Sequence, residues 1–341
     1  SDAESRSIGT GLAVRRCSGD EWPPATPMVA ALFDGRRGSR SVGYLARKSR
    51  GIDVTDQPKP MRVVFGETLC ELAEQFPDMV VLDADVSSST QTCLFGRAHP
   101  NRFYNFGIAE ANMVSAAAGM AASGLLPVVS SFAFLLSARA ADAVRSNVAY
   151  PRLSVKLCGG YAGLSDFADG ASHQSVMDLA VMRAMPNMTV LVPSDNDTIR
   201  GAVGAMLACD GPVYLRISRQ PAPPVHAGDG SFEIGRARTM RAGADVTLAV
   251  CGTLLGEALR AADALAADGI AAEVLEFGTV KPLDVAALTE SAAKTRAVVT
   301  VGIDDTFAES GPYEALLDKY GLTAPHIAAA ARELLETKDR Q

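Results

Sequence analysis

Residues 101–124 read NRFYNFGIAEANMVSAAAGMAASG. The stretch sets one acid, Glu110, between an aromatic approach (Phe103, Tyr104, Phe106, then Gly107) and a long run of small residues. After Glu110, Val114, Ala117, Ala118, Ala121 and Ala122 recur at helical spacing, which predicts a helix starting at or just before Glu110 and buried on most sides. A carboxylate there is favoured by the helix macrodipole. It is costly to desolvate unless a proton or a cation accompanies it. Two roles are open from the residues alone: a capping acid, or an acid kept dry because its chemistry requires it.

Working outward, the text alternates strands and helices. Upstream, FGETLCELAEQFP places Phe65, Leu69, Leu72, Ala73 and Phe76 on one helical face, with Pro77 beyond its end, and MVVLDAD reads as a buried strand. Downstream come the apolar run VVSSFAFLL, the helix SARAADAVRSNVAY, the strand LSVKLCG, and the loop YAGLSDFADGASHQS. A helix, the strand MTVLVPSD, another helix and the strand GPVYLRIS follow. This alternation predicts an α/β fold of two doubly wound, mostly parallel-sheet domains. The Pro- and Gly-rich residues 218–235 read as a linker. Beyond it, ADVTLAVCG, GEALRAADALAADG, AAEVLEFG, LDVAALTESAAK (a helix starting near Asp284), TRAVVTVGID and PYEALLDKYG form a second α/β unit. The expected division is an N-terminal extension over 1–60, a first domain over 61–225 and a second over 232–341. The extension is rich in Ser, Gly, Pro and Arg. Its residues 36–50 hold Arg36, Arg37, Arg40, Arg47, Lys48 and Arg50 and no acid, which predicts a solvated, flexible arm or one that docks on an acidic partner.

The 341 residues are enough for two domains with sizeable cores. A chain that is 48% hydrophobic and 21% charged belongs with globular proteins, and a net charge of −7 speaks against nucleic-acid binding. No apolar run has the length of a membrane span, and the start lacks the apolar core of a signal peptide, so the expected location is cytoplasmic. The six cysteines form no CxxC pair and the four histidines are dispersed, which predicts reduced thiols and no metal site on this chain.

In combination MRVVFGETL, LDADVSSST, FGIAEANM, DGASHQSVMDLAVMRAMPNMTVLVPSD, LRISRQ and FGTVKPLD are specific. From Met61 onward the chain resembles the C-terminal half of transketolases, above all the half found as a separate chain in split transketolases. The resemblance implies a pyrimidine-binding domain and a transketolase C-terminal domain, with thiamine diphosphate as cofactor. It makes Glu110 the acid that bonds N1′ of the aminopyrimidine ring and activates the cofactor. It places Phe132 in the pyrimidine pocket, Leu135 where the family has a further aromatic, and Asp85 as an acid near the cofactor. On the substrate side it makes Asp169 the acid that recognises a sugar hydroxyl and His173 the histidine beside the reacting carbon. Arg62, Ser89 and Arg219 then hold a terminal phosphate, as two guanidinium forks would. Two departures fall there: Tyr161 replaces a family histidine, and Phe167-Ala168 replaces the usual Gly-Glu.

The family's diphosphate-binding Gly-Asp-Gly motif, with its downstream Asn, belongs to the other half. The triplet Gly228-Asp229-Gly230 lies in the linker and reads as a turn. The resemblance therefore implies a partner, an N-terminal-half subunit that holds the diphosphate and Mg2+ or Ca2+, in an α2β2 heterotetramer acting on sugar phosphates. The activity implied is transfer of a two-carbon ketol unit from a ketose to an aldose. Two alternatives stand beside it: the β subunit of a 2-oxoacid dehydrogenase, and a catalytically silent regulatory subunit.

Overall fold

The computed structural model describes residues 59–339 and a two-residue strand, Val14–Arg15 (β1). The arm expected over 1–60 otherwise lies outside the described residues. In chain order the first part contains α1 (Met61–Leu72), β2 (Met79–Asp83), α2 (Ser87–Thr90), α3 (Cys93–Ala98), β3 (Phe103–Asn105), α4 (Glu110–Ala122) and β4 (Leu126–Phe132). Two π-helical turns, Leu135–Arg139 and Val144–Ala149, flank the short α5 (Ala141–Ala143). Next come β5 (Lys156–Gly160), α6 (Asp178–Ala184), β6 (Thr189–Leu191), α7 (Asn196–Ala208) and β7 (Val213–Arg216). The second part contains β8 (Arg238–Arg241), β9 (Val246–Val250), α8 (Leu255–Ala267), β10 (Ala272–Glu276), β11 (Thr279–Lys281), α9 (Val285–Thr295), β12 (Val298–Val299), α10 (Tyr313–Lys319) and α11 (Ala324–Asp339).

Two mostly parallel mixed sheets organise these elements. The first runs β11-β6-β7-β5-β4-β2-β3, parallel throughout except for β11, and the second runs β1-β12-β9-β10-β8, with β1 and β8 antiparallel. Interior strands of such sheets are covered on both faces, and every residue of β2 and of β5 is buried. Alternate side chains divide the core of the first sheet. Val80 and Leu82 pack with Met113 and Val114 of α4, whereas Val81 and Val128 pack with Phe65 and Leu69 of α1. Around the second sheet, Val246 and Leu248 pack with Ala261 and Leu265 of α8 and Ile327 and Ala331 of α11.

Several local features were not anticipated. Helix α11 follows Gly321, beyond the last helix read from the sequence, and buries Ala328, Ala331 and Leu334. Strand β11 comes from the FGTVKPLD segment and joins the first sheet, so the chain crosses back between sheets after β10. Helix α4 is not buried on most sides: Met113, Val114, Ala117 and Ala118 are covered, while Ala111, Asn112, Ser115 and Gly119 are exposed. Residues spaced three and four apart mark one helix face, and that face is the covered one; the small residues between them carry no signal that the other faces are covered.

Helix α7 starts with a capping box, in which Asp195 and Thr198 exchange side-chain and backbone hydrogen bonds. It then lies tightly on the linker: a Cβ at Gly201 would fall 2.1 Å from the Gly230 carbonyl oxygen and 2.8 Å from Phe232 Cβ. Helix propensity favours Ala over Gly by about 1 kcal/mol, but overpacking costs about 1–3 kcal/mol. Gly201→Ala is therefore expected to destabilise the protein. An unchanged or raised urea midpoint would show that the linker yields at this contact.

Candidate active site

The carboxyl ends of parallel strands in open α/β sheets form the usual ligand-binding edge. Here that edge collects the residues singled out above. Asp85 follows β2, Glu110 follows β3, Phe132 ends β4, Tyr161 follows β5 and Arg219 follows β7. Across the sheet, Asp85 and Glu110 therefore stand towards β2 and β3, and Tyr161 and Arg219 towards β5 and β7.

Glu110 opens α4 and is 1% exposed. Its Oε2 is buried and accepts no hydrogen bond. The nearest cation is the Nη1 of Arg139, 3.6 Å away, on a side chain more than half exposed at the end of the Leu135–Arg139 turn. Leu135 begins that turn and is itself buried. The turn packs against α4, so the fold puts the buried acid and Leu135 on adjoining elements.

Asp85 has φ +64°, and its Oδ1 accepts a 2.9 Å hydrogen bond from Asn105 at the end of β3. The left-handed conformation is held by Asp83 beneath it. That fully buried acid accepts from Thr90 Oγ1 (2.9 Å), Thr92 Oγ1 (2.8 Å) and the Val86 amide (2.7 Å). Burial raises the Asp83 acid above its ordinary range, although the bonds from Thr92, Val86 and Thr90 pull it down. Sequence reading missed Asp83. Its signal was available in LDADVSSSTQT, an acid at a strand end with hydroxyls seven and nine residues on.

The substrate-side residues converge on Tyr161. This residue is 6% exposed with φ +58°, and its ring lies 4.6 Å from that of Phe132, centroid to centroid. The Arg219 guanidinium sits 4.9 Å from the Tyr161 ring and 5.2 Å from the Phe167 ring, and Arg62 approaches Tyr161 at 5.6 Å. Arg62 Nη1 donates to the Ser89 carbonyl at 2.9 Å, while its buried Nε has no partner. His173 stands edge-on to Phe132 at 6.1 Å, and its Nδ1 pairs with Ser172 Oγ at 2.9 Å. Asp169 is exposed, with Oδ2 4.0 Å from Arg219.

A second acid in that loop was not anticipated. Asp166 is fully buried, and its Oδ1 accepts from Arg219 Nη1 at 3.2 Å. Burial and the Asp169 carboxyl beside it push the Asp166 acid up to about 7, with Arg219 opposing them. Nothing in the loop sequence marked it, because its partner lies 53 residues away.

The second part of the chain helps to hold this loop. The Gly311 amide donates to the Phe167 carbonyl at 3.2 Å, Gln174 Nε2 donates to the Glu309 carbonyl, and Leu164 packs with Leu316, Leu317 and Leu322. From below, Arg216 is fixed by Asp178 (2.8 Å) and donates to the Ser175 carbonyl. The Gly228-Asp229-Gly230 triplet is an exposed turn: Gly228 has φ +88° and Asp229 caps the Ser231 amide. Among the described residues no group of His, Cys, Asp or Glu is arranged to hold a metal, and no helix is long and apolar enough to cross a membrane.

Comparison with known proteins agrees with this fold. Residues 57–224 match the transketolase pyrimidine-binding domain, and residues 235–302 match the transketolase C-terminal domain. A Methanocaldococcus jannaschii protein named as a transketolase C-terminal section is 38% identical over 303 residues, 81% of this chain and 96% of its own length. The 6-deoxy-6-sulfo-D-fructose transketolase subunit SqwH of Clostridium sp. is 38% identical over 307 residues, covering 82% and 95%. Among solved structures, a split-gene transketolase captured as an inactive β4 tetramer superposes with a TM-score of 0.75 at 39% identity, covering 81% of this chain and 98% of that one. The 1-deoxy-D-xylulose-5-phosphate synthase of Pelotomaculum thermopropionicum is 33% identical, but this chain spans only 47% of it. The chain thus belongs to the transketolase family and carries its pyrimidine-binding and C-terminal domains, matching the C-terminal section of split transketolases.

Proposed function

We propose that this chain is the pyrimidine-binding half of a two-subunit transketolase, which moves a two-carbon ketol unit from a ketose to an aldose. The observation that carries the reading is the orphaned Oε2 of Glu110, buried at the carboxyl edge of the sheet. A buried acid oxygen that accepts no hydrogen bond and has only the largely exposed Arg139 at 3.6 Å suits a ring nitrogen that presents or shares a proton, and so fits the aminopyrimidine of thiamine diphosphate. Thiamine diphosphate, when bound, supplies the carbon nucleophile that cleaves the bond beside a ketose carbonyl. Glu110 would hold and exchange the proton at the ring nitrogen, with the half-buried Phe132 and the buried Leu135 forming apolar surface and Asp85 fixing the neighbouring loop. His173, oriented through Nδ1 by Ser172, would use Nε2 at the sugar carbonyl or hydroxyl, and Asp169 would accept from a sugar hydroxyl. Arg62, Ser89, Tyr161 and Arg219 would bound the far end of the sugar.

The diphosphate and its Mg2+ or Ca2+ would belong to a partner subunit in an α2β2 assembly. Support for such an interface comes from the open face of α4 and from Ile108 beside Glu110, which is 75% exposed. The isolated chain should therefore be inactive. Mixing it with an N-terminal-half subunit, thiamine diphosphate and Mg2+ should give turnover with hydroxypyruvate and an aldose acceptor. Turnover by the chain alone would overturn the two-subunit reading. The likeness to 1-deoxy-D-xylulose-5-phosphate synthases supports a second reading, in which pyruvate replaces the ketose as donor. Product formation from pyruvate and not from hydroxypyruvate would decide for it.

A further inference from the structure

We propose that Gln174 is a positioning residue for the reaction, and that residues 308–311, in the second part of the chain, form a strap on which Gln174 and Gly170 hold His173 in place. The inference rests on the ketol-transfer reading, in which His173 acts at the donor, and deepens it.

The loop between β5 and α6 carries Asp169 and His173, and both of its ends are tied to residues that close β5 and β7. Near its start the Ser165 hydroxyl donates to the Ala162 carbonyl and accepts from the Arg219 amide. At its far end the Ser175 carbonyl accepts from the Gly163 amide and from Arg216. Between these ends the loop rests on the strap. The Gly311 amide donates to the Phe167 carbonyl at 3.2 Å, and Gln174 Nε2 donates to the Glu309 carbonyl at 3.1 Å. Gly170, with φ +72°, lies so close that a Cβ there would stand 3.0 Å from Ser310 Oγ and 3.3 Å from the Ser310 amide nitrogen.

His173 sits between two of these anchors. The Gly170 carbonyl accepts from the His173 and Gln174 amides, both at 3.0 Å, so residues 170–174 form one closed turn. One end of the turn meets Ser310 and the other meets Glu309, and a shift of the strap would carry the imidazole with it. The strap is itself fixed. The Glu309 amide donates to Tyr320 Oη at 3.1 Å, and the buried Ala308 packs with Leu316 and Leu317 of α10.

Folding stability does not account for Gln174. Its side chain is buried, and its Oε1 accepts no hydrogen bond among the described residues. The Glu309 carbonyl fixes which way the amide points, since a turned amide would set two oxygens against each other. A buried acceptor left unpaired costs as much as one neutral hydrogen bond returns, or more. Methionine, of similar size, removes the donor and the acceptor together. It therefore frees the loop from Glu309 at little or no cost to folding.

The experiment is a double-mutant cycle in the assembled two-subunit enzyme with thiamine diphosphate, Mg2+, hydroxypyruvate and D-ribose 5-phosphate. Gln174→Met should lower kcat and kcat/KM together by about tenfold or more, the scale of a small misplacement of a reacting group. The urea midpoint of the free chain should not fall. In a His173→Ala background the same substitution should cost no more than about twofold, because the group it positions is gone. A Gln174→Met enzyme with the full wild-type rate overturns the inference. So does an equal loss in both backgrounds, which is what a general loosening of the fold would give. If Gln174→Met fails to fold, the cycle passes to Gly170→Ala, whose methyl pushes the loop off Ser310, with the same expected and overturning results. A wild type that does not use hydroxypyruvate overturns ketol transfer instead. The four enzymes are then compared with pyruvate and D-glyceraldehyde 3-phosphate, and a wild type inert there as well overturns both the reaction and the strap.

Discussion

Glu110→Gln is expected to lower turnover of the assembled enzyme by about 10²–10⁴-fold, the usual contribution of one positioned acid–base group. The unfolding midpoint of the chain should stay the same or rise. The amide keeps the size and hydrogen-bonding reach of the acid but cannot exchange a proton with a ring nitrogen. The stability side follows from the surroundings. The carboxylate is buried, its Oε2 has no hydrogen-bond partner, and its nearest cation, Arg139, stands 3.6 Å away and is largely exposed to water. Such a solvent-screened pair contributes little to folding, so a neutral amide removes a desolvation cost without breaking a strong bond. Steady-state rates in the assembled enzyme and urea unfolding of the free chain measure the two sides separately. A variant that assembles and keeps most of its rate would make Glu110 a structural residue.

The second large effect concerns the linker. His226 is buried between two acids, with Nδ1 2.8 Å from Asp195 Oδ2 and Nε2 2.9 Å from Glu276 Oε2. Asp195 also caps α7 and accepts the Val225 and His226 amides, and Glu276 ends β10 and accepts from Ser194. One imidazole therefore ties the linker to both sheets. Burial alone would lower its pKa, but the hydrogen bonds and charges of Asp195 and Glu276 prevail and raise it to about 9. Asp195 is held below the ordinary carboxylate range: burial opposes this, and the bonds from His226, Thr198 and Val225 outweigh it.

The signs follow from linkage. A histidine raised in the folded state contributes its full stability below its unfolded value of about 6.5, and loses it as pH rises through about 9. The depressed Asp195 contributes above its unfolded value of about 3.9 and loses that contribution as pH falls below it. Removing one member of a buried ion pair costs about 3–5 kcal/mol, because the partners are left charged and unpaired. His226→Ala should thus lower unfolding stability by about that amount near pH 6. The gap from wild type should narrow steadily between about pH 6.5 and 9. Urea unfolding of both forms across that range measures it, and a gap independent of pH would mean that the imidazole is neutral and acts only by packing.

How much of this was legible beforehand depends on sequence separation. The helix after Glu110, the buried strands β2 and β5 and the helix capped by Asp284 are local matters. Hydrophobic period, β-branched runs and cap chemistry act over a few residues, so the sequence specifies them by itself. The same holds for the carboxyl-edge placement of Tyr161 and Arg219, since each follows a strand that can be read from its own composition, whereas β3, the three-residue strand ahead of Glu110, was not read.

What surrounds those residues was decided by the tertiary structure. Arg219 meets Asp166 across 53 residues, His226 meets Glu276 across 50, and β11 leaves its neighbours to pair with β6. The period in helix α4 marked its covered face, but only packing showed that the small residues elsewhere on the helix, Ala111 and Gly119 among them, stay open. Charge shows the limit best. The sequence shows Arg219 near the carboxyl edge, and only the fold sets the buried Asp166 against its guanidinium. That pairing is set by how β5 and β7 lie side by side, and no local pattern encodes it.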